Sequence, residues 1–259
     1  MTNVLINTVL LEKNRWREAR NPSLVVSEWL SRFHVDGFTG IELWENHVLK
    51  ASNQEIRRLE QSKLPVQVYN SYVRFDDGYE TERLQAAKMI QRLQPQSVKF
   101  NLGNNTKEID TYLKNLEYWA SQLPSECQLL CECHPGTIME DPRMAKDIFT
   151  ELNNSKYKAI IHPFHKNTDL QAWFDYVGAR ISHAHVSVFD NGTFFTLEER
   201  SPFVRNRFDQ LKRNGFKGSY SIEFTSGVAT EQESIELVYQ HAVQDKDFLI
   251  KLHNVGQRS

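Results

Sequence analysis

Glutamate and histidine side chains recur at the ends of short apolar runs in the second half of the chain. Glu132, His162, His185 and Glu223 each stand at or near the end of such a run. An ionised glutamate between apolar strand residues is costly to bury unless it meets a cation or several hydrogen-bond donors. Carboxylate oxygens and imidazole nitrogens that converge on one point bind divalent cations such as Mn2+, Zn2+ or Mg2+. These residue types predict a divalent-metal site if the fold brings the four runs together.

Strand alternation adds detail to the prediction for the two glutamates. Side chains two residues apart share one face of a strand. Glu132 stands between Cys131 and Cys133, so the two thiols point away from the face that Glu132 occupies. Glu223 likewise stands between two apolar residues, which belong against outer helices. Both glutamates are therefore predicted to point away from the helical layer.

The elements that must position these residues are eight apolar runs separated by amphipathic stretches. Each run has four to nine residues and is rich in Val, Ile, Leu or aromatic residues, as is typical of buried parallel strands. The runs are Val4–Leu10, Thr39–Trp44, Pro65–Tyr72, Ser97–Asn101, Gln128–Cys133, Tyr157–His162, Arg180–Val188 and Gly218–Phe224. The helical patterns between and after them include Ser23–Phe33, Thr81–Leu93, Ile109–Leu123, Asp141–Leu152, Leu170–Val177, Phe203–Asn214 and Thr230–Leu252.

This alternation predicts an α/β fold, a single (β/α)8 TIM barrel domain that spans residues 1–259. A doubly wound open sheet could use the same alternation. The chain contains no Gly-x-Gly, however, so neither the dinucleotide-binding fingerprint nor a P-loop is available. In a barrel, the polar residues at the carboxyl ends of the strands meet at one mouth, where active sites lie.

Composition excludes several classes of function. Thirty-one Lys and Arg residues against 33 Asp and Glu give a formal charge of −2, which offers no electrostatic case for nucleic acid or an anionic membrane. The longest stretch without these four residue types is the first eleven residues, too short to span a bilayer and a poor signal peptide. Three cysteines within seven residues, with no CxxC, indicate reduced buried thiols and a cytoplasmic protein.

The strand-end motifs resemble those of the xylose isomerase-like TIM barrels, which include sugar (phosphate) isomerases, ketose 3-epimerases, inosose dehydratases and endonuclease IV. The resemblance covers nearly the whole chain, with the motifs in the same order. The motifs are Gly37-Phe38-Thr39-Gly40-Ile41-Glu42-Leu43-Trp44, Cys131-Glu132-Cys133-His134-Pro135-Gly136, His162-Pro163-Phe164-His165, Ile181-Ser182-His183-Ala184-His185 and Tyr220-Ser221-Ile222-Glu223.

The resemblance implies a divalent metal held by residues from four successive strands. Carried over to this sequence, the metal ligands are Glu132, His162, His185 and Glu223. His162 stands where these proteins usually have Asp, which is the main departure from the pattern. An imidazole there removes one negative charge and favours Mn2+ or Zn2+, with Mg2+ or Co2+ as further candidates.

The resemblance also implies a metal-dependent isomerase or epimerase that acts on a sugar, keto-sugar or polyol. Glu132 and Glu223 are the expected catalytic residues, which transfer a proton next to a carbonyl through an enediolate that the metal stabilises. The expected partner is a small carbohydrate, and such barrels are often homodimers or tetramers. The expected substrate-binding residues are His165, Lys99, Asn70, Trp44 and His47.

Four alternatives stay open from the sequence. A lyase that dehydrates a keto-inositol or a dehydroshikimate-like substrate would use the same residues. His162 in place of Asp also leaves room for a non-catalytic barrel that binds a sugar or a metal. An endonuclease IV-like activity needs more metal ligands from the early strands than His47 provides. A retaining glycosidase would use two glutamates without needing the pair His162 and His185.

Overall fold

Eight parallel strands close into a barrel in the computed structural model of the chain, which describes residues 2–255. The barrel strands are β1 (Val4–Asn7), β2 (Gly40–Trp44), β3 (Val66–Asn70), β4 (Ser97–Phe100), β5 (Gln128–Glu132), β6 (Tyr157–Ile161), β7 (Ile181–Val186) and, after a hairpin β8 (Val188–Asp190) and β9 (Thr193–Phe195), β10 (Ser219–Ile222). Strand β1 pairs in parallel with both β2 and β10, which closes the sheet.

Helices alternate with the barrel strands, so the predicted (β/α)8 TIM barrel is confirmed. They are α1 (Leu30–Val35), α2 (Asn46–Leu49), α3 (Asn53–Glu60), α4 (Glu80–Leu93), α5 (Ile109–Ser121), α6 (Pro142–Leu152), α7 (Leu170–Tyr176), α8 (Ser201–Arg213) and α9 (Ile235–Val255). None of the helices within residues 2–255 is both long and apolar enough to cross a membrane. The domain extent of 1–259 stays a prediction, and residues 1 and 256–259 lie outside the described part.

Inside the barrel, an apolar layer lies beneath a polar one. Leu5, Val68, Leu130 and Ile160 form a buried cluster separate from the core under the helices. Two residues further along the same strands, and therefore on the same face, stand Asn7, Asn70, Glu132 and His162. Each of the eight barrel strands contributes one polar side chain at this level, and the full set is Asn7, Glu42, Asn70, Lys99, Glu132, His162, His185 and Glu223.

The hairpin formed by β8 and β9 is an addition that the strand pattern does not predict. Phe189 and Phe194 are paired across it. Asn191 and Gly192 form its two-residue turn with φ angles of 51° and 77°, the left-handed backbone that Asn-Gly adopts readily. The hairpin follows β7 directly, so it lies at the carboxyl-terminal mouth of the barrel.

A buried carboxyl ties α9 to two loops. Asp245 is 2% exposed and accepts hydrogen bonds from the Leu197 backbone N–H and the Thr225 hydroxyl at 2.7 and 2.6 Å. Burial raises the pKa of Asp245 to about 7, against an ordinary 3.8. Between these two values the folded protein keeps a proton that the unfolded chain has lost, so stability falls as pH rises through this window.

We expect Asp245→Asn to remove this pH dependence. Wild type should lose about 4 kcal/mol relative to the variant between pH 4 and pH 8, since one pKa unit corresponds to about 1.36 kcal/mol. Urea unfolding of both proteins across this range measures the difference. Asp209→Asn, at an exposed position on α8, is the matched control. A difference between wild type and Asp245→Asn that does not change with pH would contradict the expectation.

Candidate metal centre

Four side chains from β5, β6, β7 and β10 converge at the mouth. Glu132, His162, His185 and Glu223 are all buried, and each offers a ligand atom within 4.8 Å of the others. His185 Nδ1 lies 3.1 Å from Glu132 Oε1 and 3.2 Å from Glu223 Oε1. His162 Nε2 lies 3.3 Å from Glu132 Oε1, and its Nδ1 lies 3.6 Å from Glu223 Oε2. The structure thus brings together the four residues predicted as ligands.

These separations suit a single small cation. Bonds of ~2.0–2.2 Å in a tetrahedron place neighbouring donor atoms about 3.4 Å apart. With one donor atom per residue, His185 Nδ1 lies 3.1 and 3.2 Å from Glu132 Oε1 and Glu223 Oε1, and His162 Nε2 lies 3.3 Å from Glu132 Oε1, all close to that value. His162 supplies a further observation, because its two buried ring nitrogens face the carboxylates of Glu132 and Glu223 but make no hydrogen bond within residues 2–255. Buried polar atoms in proteins are normally satisfied, so a cation between these donors accounts for the arrangement.

Glu42 lies behind His185. His185 Nε2 donates to Glu42 Oε1 at 3.0 Å, while Nδ1 faces the cluster. A carboxylate on the far nitrogen fixes the orientation of a metal-binding imidazole and increases its basicity. Glu42 also accepts from Asn7 Nδ2 at 3.0 Å and lies 3.2 Å from His183 Nε2. His183 is enclosed between Glu42 and the hydroxyls of Ser219 and Ser221, so it is a satisfied interior histidine.

Glu42 is the part of the site that sequence reasoning passed over. It stands two residues before the end of the second apolar run, Thr39–Trp44, and was not assigned a role. Its signal was nevertheless the same as that of Glu132 and Glu223, a lone glutamate between apolar strand residues, here Ile41 and Leu43.

Glu132 uses its two carboxylate oxygens differently. Oε1 faces His162 and His185, whereas Oε2 accepts from Lys99 Nζ at 2.7 Å and from Asn101 Nδ2 at 3.0 Å. Asn101 in turn accepts from Lys99 at 2.7 Å. One oxygen is therefore oriented towards the ligand set while the other is held by two donors. Glu223 has only His162 and His185 as ionic partners among the described residues.

The charges of the centre favour a divalent cation. Three buried carboxylates, Glu42, Glu132 and Glu223, surround one buried ammonium, Lys99, which leaves two negative charges. Burial alone would raise the pKa of Glu132, but Lys99 and the neighbouring histidines hold it well below its ordinary value. Burial would likewise lower the pKa of His185, but Glu223 and Glu42 raise it well above the ordinary value. A divalent cation that replaces the His185 proton leaves the centre neutral.

A cavity of about 810 Å3 opens beside the centre on the β2–β5 side. Asn101 and His134, which contact Glu132, line it at one end. Its wall contains Glu45, which is 7% exposed and accepts from the Ser71 hydroxyl at 2.9 Å. Burial raises the pKa of Glu45 to about 7, partly offset by its hydrogen bonds. This cavity is large enough to hold a sugar-sized molecule.

Three of the predicted substrate-binding residues lie next to the centre. The His165 ring stands 4.7 Å from the His162 ring, and its Nε2 lies 2.8 Å from the Ser187 hydroxyl. Burial lowers the pKa of His165 to about 3, so the ring is neutral. Asn70 is 1% exposed, and its side-chain carbonyl has no hydrogen-bond partner. Lys99 is the third and contacts Glu132 directly.

The structure places Trp44 and His47 elsewhere. Trp44 is 1% exposed and meets the His47 ring edge-on. His47 Nε2 lies 2.8 Å from Glu12 Oε1, and its Nδ1 lies 2.9 Å from the Thr8 hydroxyl. Glu12 also accepts from the backbone N–H groups of Ser23 and Leu24. His47 therefore anchors the loop between β1 and α1, and neither side chain lines the cavity beside the centre.

We expect Lys99→Met to destabilise the protein by about 3 kcal/mol, because it leaves Glu132 buried without its main counter-charge. In the double variant Lys99→Met/Glu132→Gln the uncompensated charge is absent, so most of the loss should be recovered. Urea unfolding in the presence of a chelator measures all four members of this double-mutant cycle. Additive effects of the two substitutions would show that the pair makes no net contribution.

Known proteins match this chain in structure but not in sequence. No protein-family model matches the chain, and no curated protein sequence is significantly similar to it. Solved structures do match over nearly the whole chain. D-psicose 3-epimerase of Clostridium cellulolyticum H10, solved with D-tagatose, superposes with a TM-score of 0.70 at 11% identity, covering 97% of this chain and 99% of that one.

Two further structures define the class. The probable 3-DHS dehydratase AsbF of Bacillus anthracis has a TM-score of 0.67 at 13% identity, covering 96% of this chain and 99% of its own. A xylose isomerase-like TIM barrel protein of Mycobacterium smegmatis, solved in complex with magnesium, has a TM-score of 0.64 at 11% identity, covering 97% and 96%. The chain therefore shares its fold with structures of xylose isomerase-like TIM barrels, which is the fold that its strand-end motifs led us to expect.

Proposed function

We propose that the protein is a metal-dependent isomerase or epimerase of a sugar, keto-sugar or polyol. The observation that carries the proposal is the group of four buried donors, two of them carboxylates, beside a cavity of sugar size. The fold supports it, because the structures that share this fold include a sugar epimerase. In a purely structural salt-bridge cluster His162 would hydrogen-bond to these carboxylates, whereas its two ring nitrogens face Glu132 and Glu223 at 3.3 and 3.6 Å without making a hydrogen bond within residues 2–255.

Glu132, His162, His185 and Glu223 would hold the cation, with Glu42 orienting His185. A divalent cation bound there supplies Lewis acidity towards neighbouring carbonyl and hydroxyl oxygens of the substrate. The donor set of two carboxylates and two imidazoles favours Zn2+ or Mn2+ over Mg2+. The proton transfers are carried out by side chains of the protein.

Glu223 is the proposed proton acceptor. Its carboxylate carries no lysine or amide donor among the described residues, whereas Lys99 and Asn101 both donate to Glu132. Hydrogen bonds to a carboxylate stabilise its ionised form and make it a weaker base. Glu223 therefore removes the proton next to the carbonyl and later releases it to solvent. Glu132, three strands away from β10 across β7 and β6, returns to the other face a proton that it takes up from solvent. His165, being neutral, offers a ring nitrogen to a substrate hydroxyl.

A dehydratase is the second candidate, and Glu45 is the observation that favours it. Loss of water from a substrate requires an acid that protonates the departing hydroxyl. Glu45 lines the cavity and keeps its proton near neutral pH, because burial raises its pKa to about 7. The two reactions differ in product mass, since only the dehydratase product is lighter by one water.

Solvent exchange tests the proposal. The purified protein, loaded with Mn2+ or Zn2+, is incubated in D2O with a panel of ketoses and keto-inositols, and deuterium at carbon is followed by NMR and mass spectrometry. Exchange without loss of mass supports the isomerase or epimerase, and a product lighter by water supports the dehydratase. No exchange and no product across the panel, with metal bound, would refute both and favour a binding protein.

A further inference from the structure

An aromatic strip borders the mouth on the side opposite the cavity wall formed after β2 and β3. Its members are Phe189, Phe194, Phe224 and Trp16, and we refer to them as the aromatic lip. Successive ring centroids lie 4.9, 5.1 and 5.7 Å apart, so the four rings form one contiguous row, in which Phe194 and Phe224 are half-buried against the core. Trp16 is 59% exposed and Phe189 is 38% exposed.

One end of the aromatic lip lies next to the candidate metal centre, and the other end borders the cavity beside it. At one end the Phe189 ring lies 6.0 Å from the ring of His165, which stacks beside His162. Phe224 directly follows Glu223 in the chain. At the other end Trp16 lines the cavity of about 810 Å3, whereas Phe189, Phe194 and Phe224 lie outside it. A single sugar in that cavity therefore leaves most of the lip uncovered.

Contacts with Arg15 and the pairing of the hairpin strands hold the rings of the aromatic lip in place. The Arg15 guanidinium lies 4.9 Å from the Trp16 ring and 6.0 Å from the Phe224 ring. Arg15 itself is 4% exposed and donates to the carbonyls of Val9 and Leu10 and to Glu233. On the hairpin, the pairing of Phe189 with Phe194 fixes the other two rings. Aromatic surface that is exposed yet fixed in position binds a ligand with little loss of conformational entropy.

We propose that the aromatic lip is a stacking subsite for a second ring of the substrate, so that the substrate is a glycoside of a keto-sugar, which keeps the carbonyl that the proposed reaction needs, rather than a free monosaccharide. The faces of aromatic rings carry partial negative charge, which attracts the C–H edge of an aromatic aglycone or the C–H face of a sugar. The inference rests on the proposed carbohydrate substrate, and it adds that the reacting sugar lies at the metal centre while its aglycone or neighbouring sugar covers the lip.

Binding of matched glycosides tests this subsite without turnover. Isothermal titration calorimetry compares methyl and 4-nitrophenyl glycosides of glucose, galactose, mannose and xylose with the zinc-loaded protein. At least one 4-nitrophenyl glycoside should bind about tenfold more tightly than its methyl partner, the scale of one ring-stacking contact. That ratio should fall to near one in both Trp16→Ala and Phe194→Ala. Tyr118→Ala, at a 50% exposed aromatic on α5, is the matched control and should keep the wild-type ratio.

Each other outcome overturns the subsite. A ratio near one in wild type, an absence of binding across the panel, or a ratio that both lip variants retain would do so. If the lip instead packs against a second copy of the chain, Phe194→Ala should turn a dimer into a monomer in sedimentation velocity and leave the ratio unchanged. If the protein exchanges protons on ketoses but does not prefer 4-nitrophenyl over methyl glycosides, the lip proposal is refuted and the proposed reaction stands. If the protein prefers 4-nitrophenyl glycosides but gives neither proton exchange nor product, the proposed reaction is refuted and the lip proposal stands.

Discussion

Glu223→Gln is expected to lower the rate of substrate proton exchange by about 10²–10⁴-fold, the usual contribution of a positioned acid or base. The substitution keeps the shape of the side chain and removes its basicity. Glu132→Gln should reduce the rate as well, because the opposite proton transfer then lacks its carboxyl group. Exchange in D2O is measured at saturating metal, so that a weaker metal affinity of either variant does not enter the rate.

The control for this experiment is Glu117→Gln, at an exposed position on α5 far from the mouth. It should keep the wild-type rate. Metal content of each variant is measured by mass spectrometry, and circular dichroism establishes that the fold is retained. A Glu223→Gln protein that carries metal and exchanges protons at the wild-type rate would exclude Glu223 as the base.

His162→Asp is expected to shift metal preference towards Mg2+, lowering the ratio of Zn2+ to Mg2+ affinity by at least about tenfold. An imidazole nitrogen suits Zn2+, whereas a carboxylate supplies the oxygen and the added negative charge that Mg2+ favours. The substitution also removes two buried ring nitrogens that make no hydrogen bond within residues 2–255. Competition with a chromophoric chelator measures both affinities without reference to activity.

His134→Asp separates coordination from charge in that experiment. His134 Nε2 lies 3.7 Å from Glu132 Oε2, so the same charge is added close to the centre, but His134 is not one of the four converging donors. Its effect on the affinity ratio should be small. Equal shifts in His134→Asp and His162→Asp would mean that His162 acts through the electric field alone and is not a ligand.

Most of the barrel was predictable because the residue types within a short segment indicate whether that segment is a buried strand. Runs such as Gln128–Cys133 and Tyr157–His162 contain strands of nearly the same extent, β5 and β6, since a strand covered on both faces must be apolar throughout. Helix α6 begins where Asp141 predicts it, with the Asp141 carboxylate accepting from the N–H groups of Arg143 and Met144. These signals depend only on neighbours in the chain.

The hairpin and the roles of Glu42 and His47 were not predictable in the same way. The Asn191-Gly192 turn is a local signal, but β8 continues the apolar run of β7 almost without a break, so the pattern merges the two strands. His47 looks like a residue of the mouth until the chain folds and Glu12 reaches its ring from the loop after β1. Glu12 and His47 are 35 residues apart, and neither local sequence indicates that the two side chains will meet.

The two glutamates and two histidines could be named from the sequence by themselves, together with the barrel that positions them, because a lone polar residue in a buried strand is exceptional wherever it occurs. Only the tertiary structure decided what each one faces. Lys99 restrains one oxygen of Glu132, Glu42 orients His185, and His162 faces both carboxylates without a hydrogen bond among the described residues. The physical reason is that strand parity is a property of one segment, whereas the closure and register of the barrel determine which side chains share its interior, and these depend on all eight strands at once.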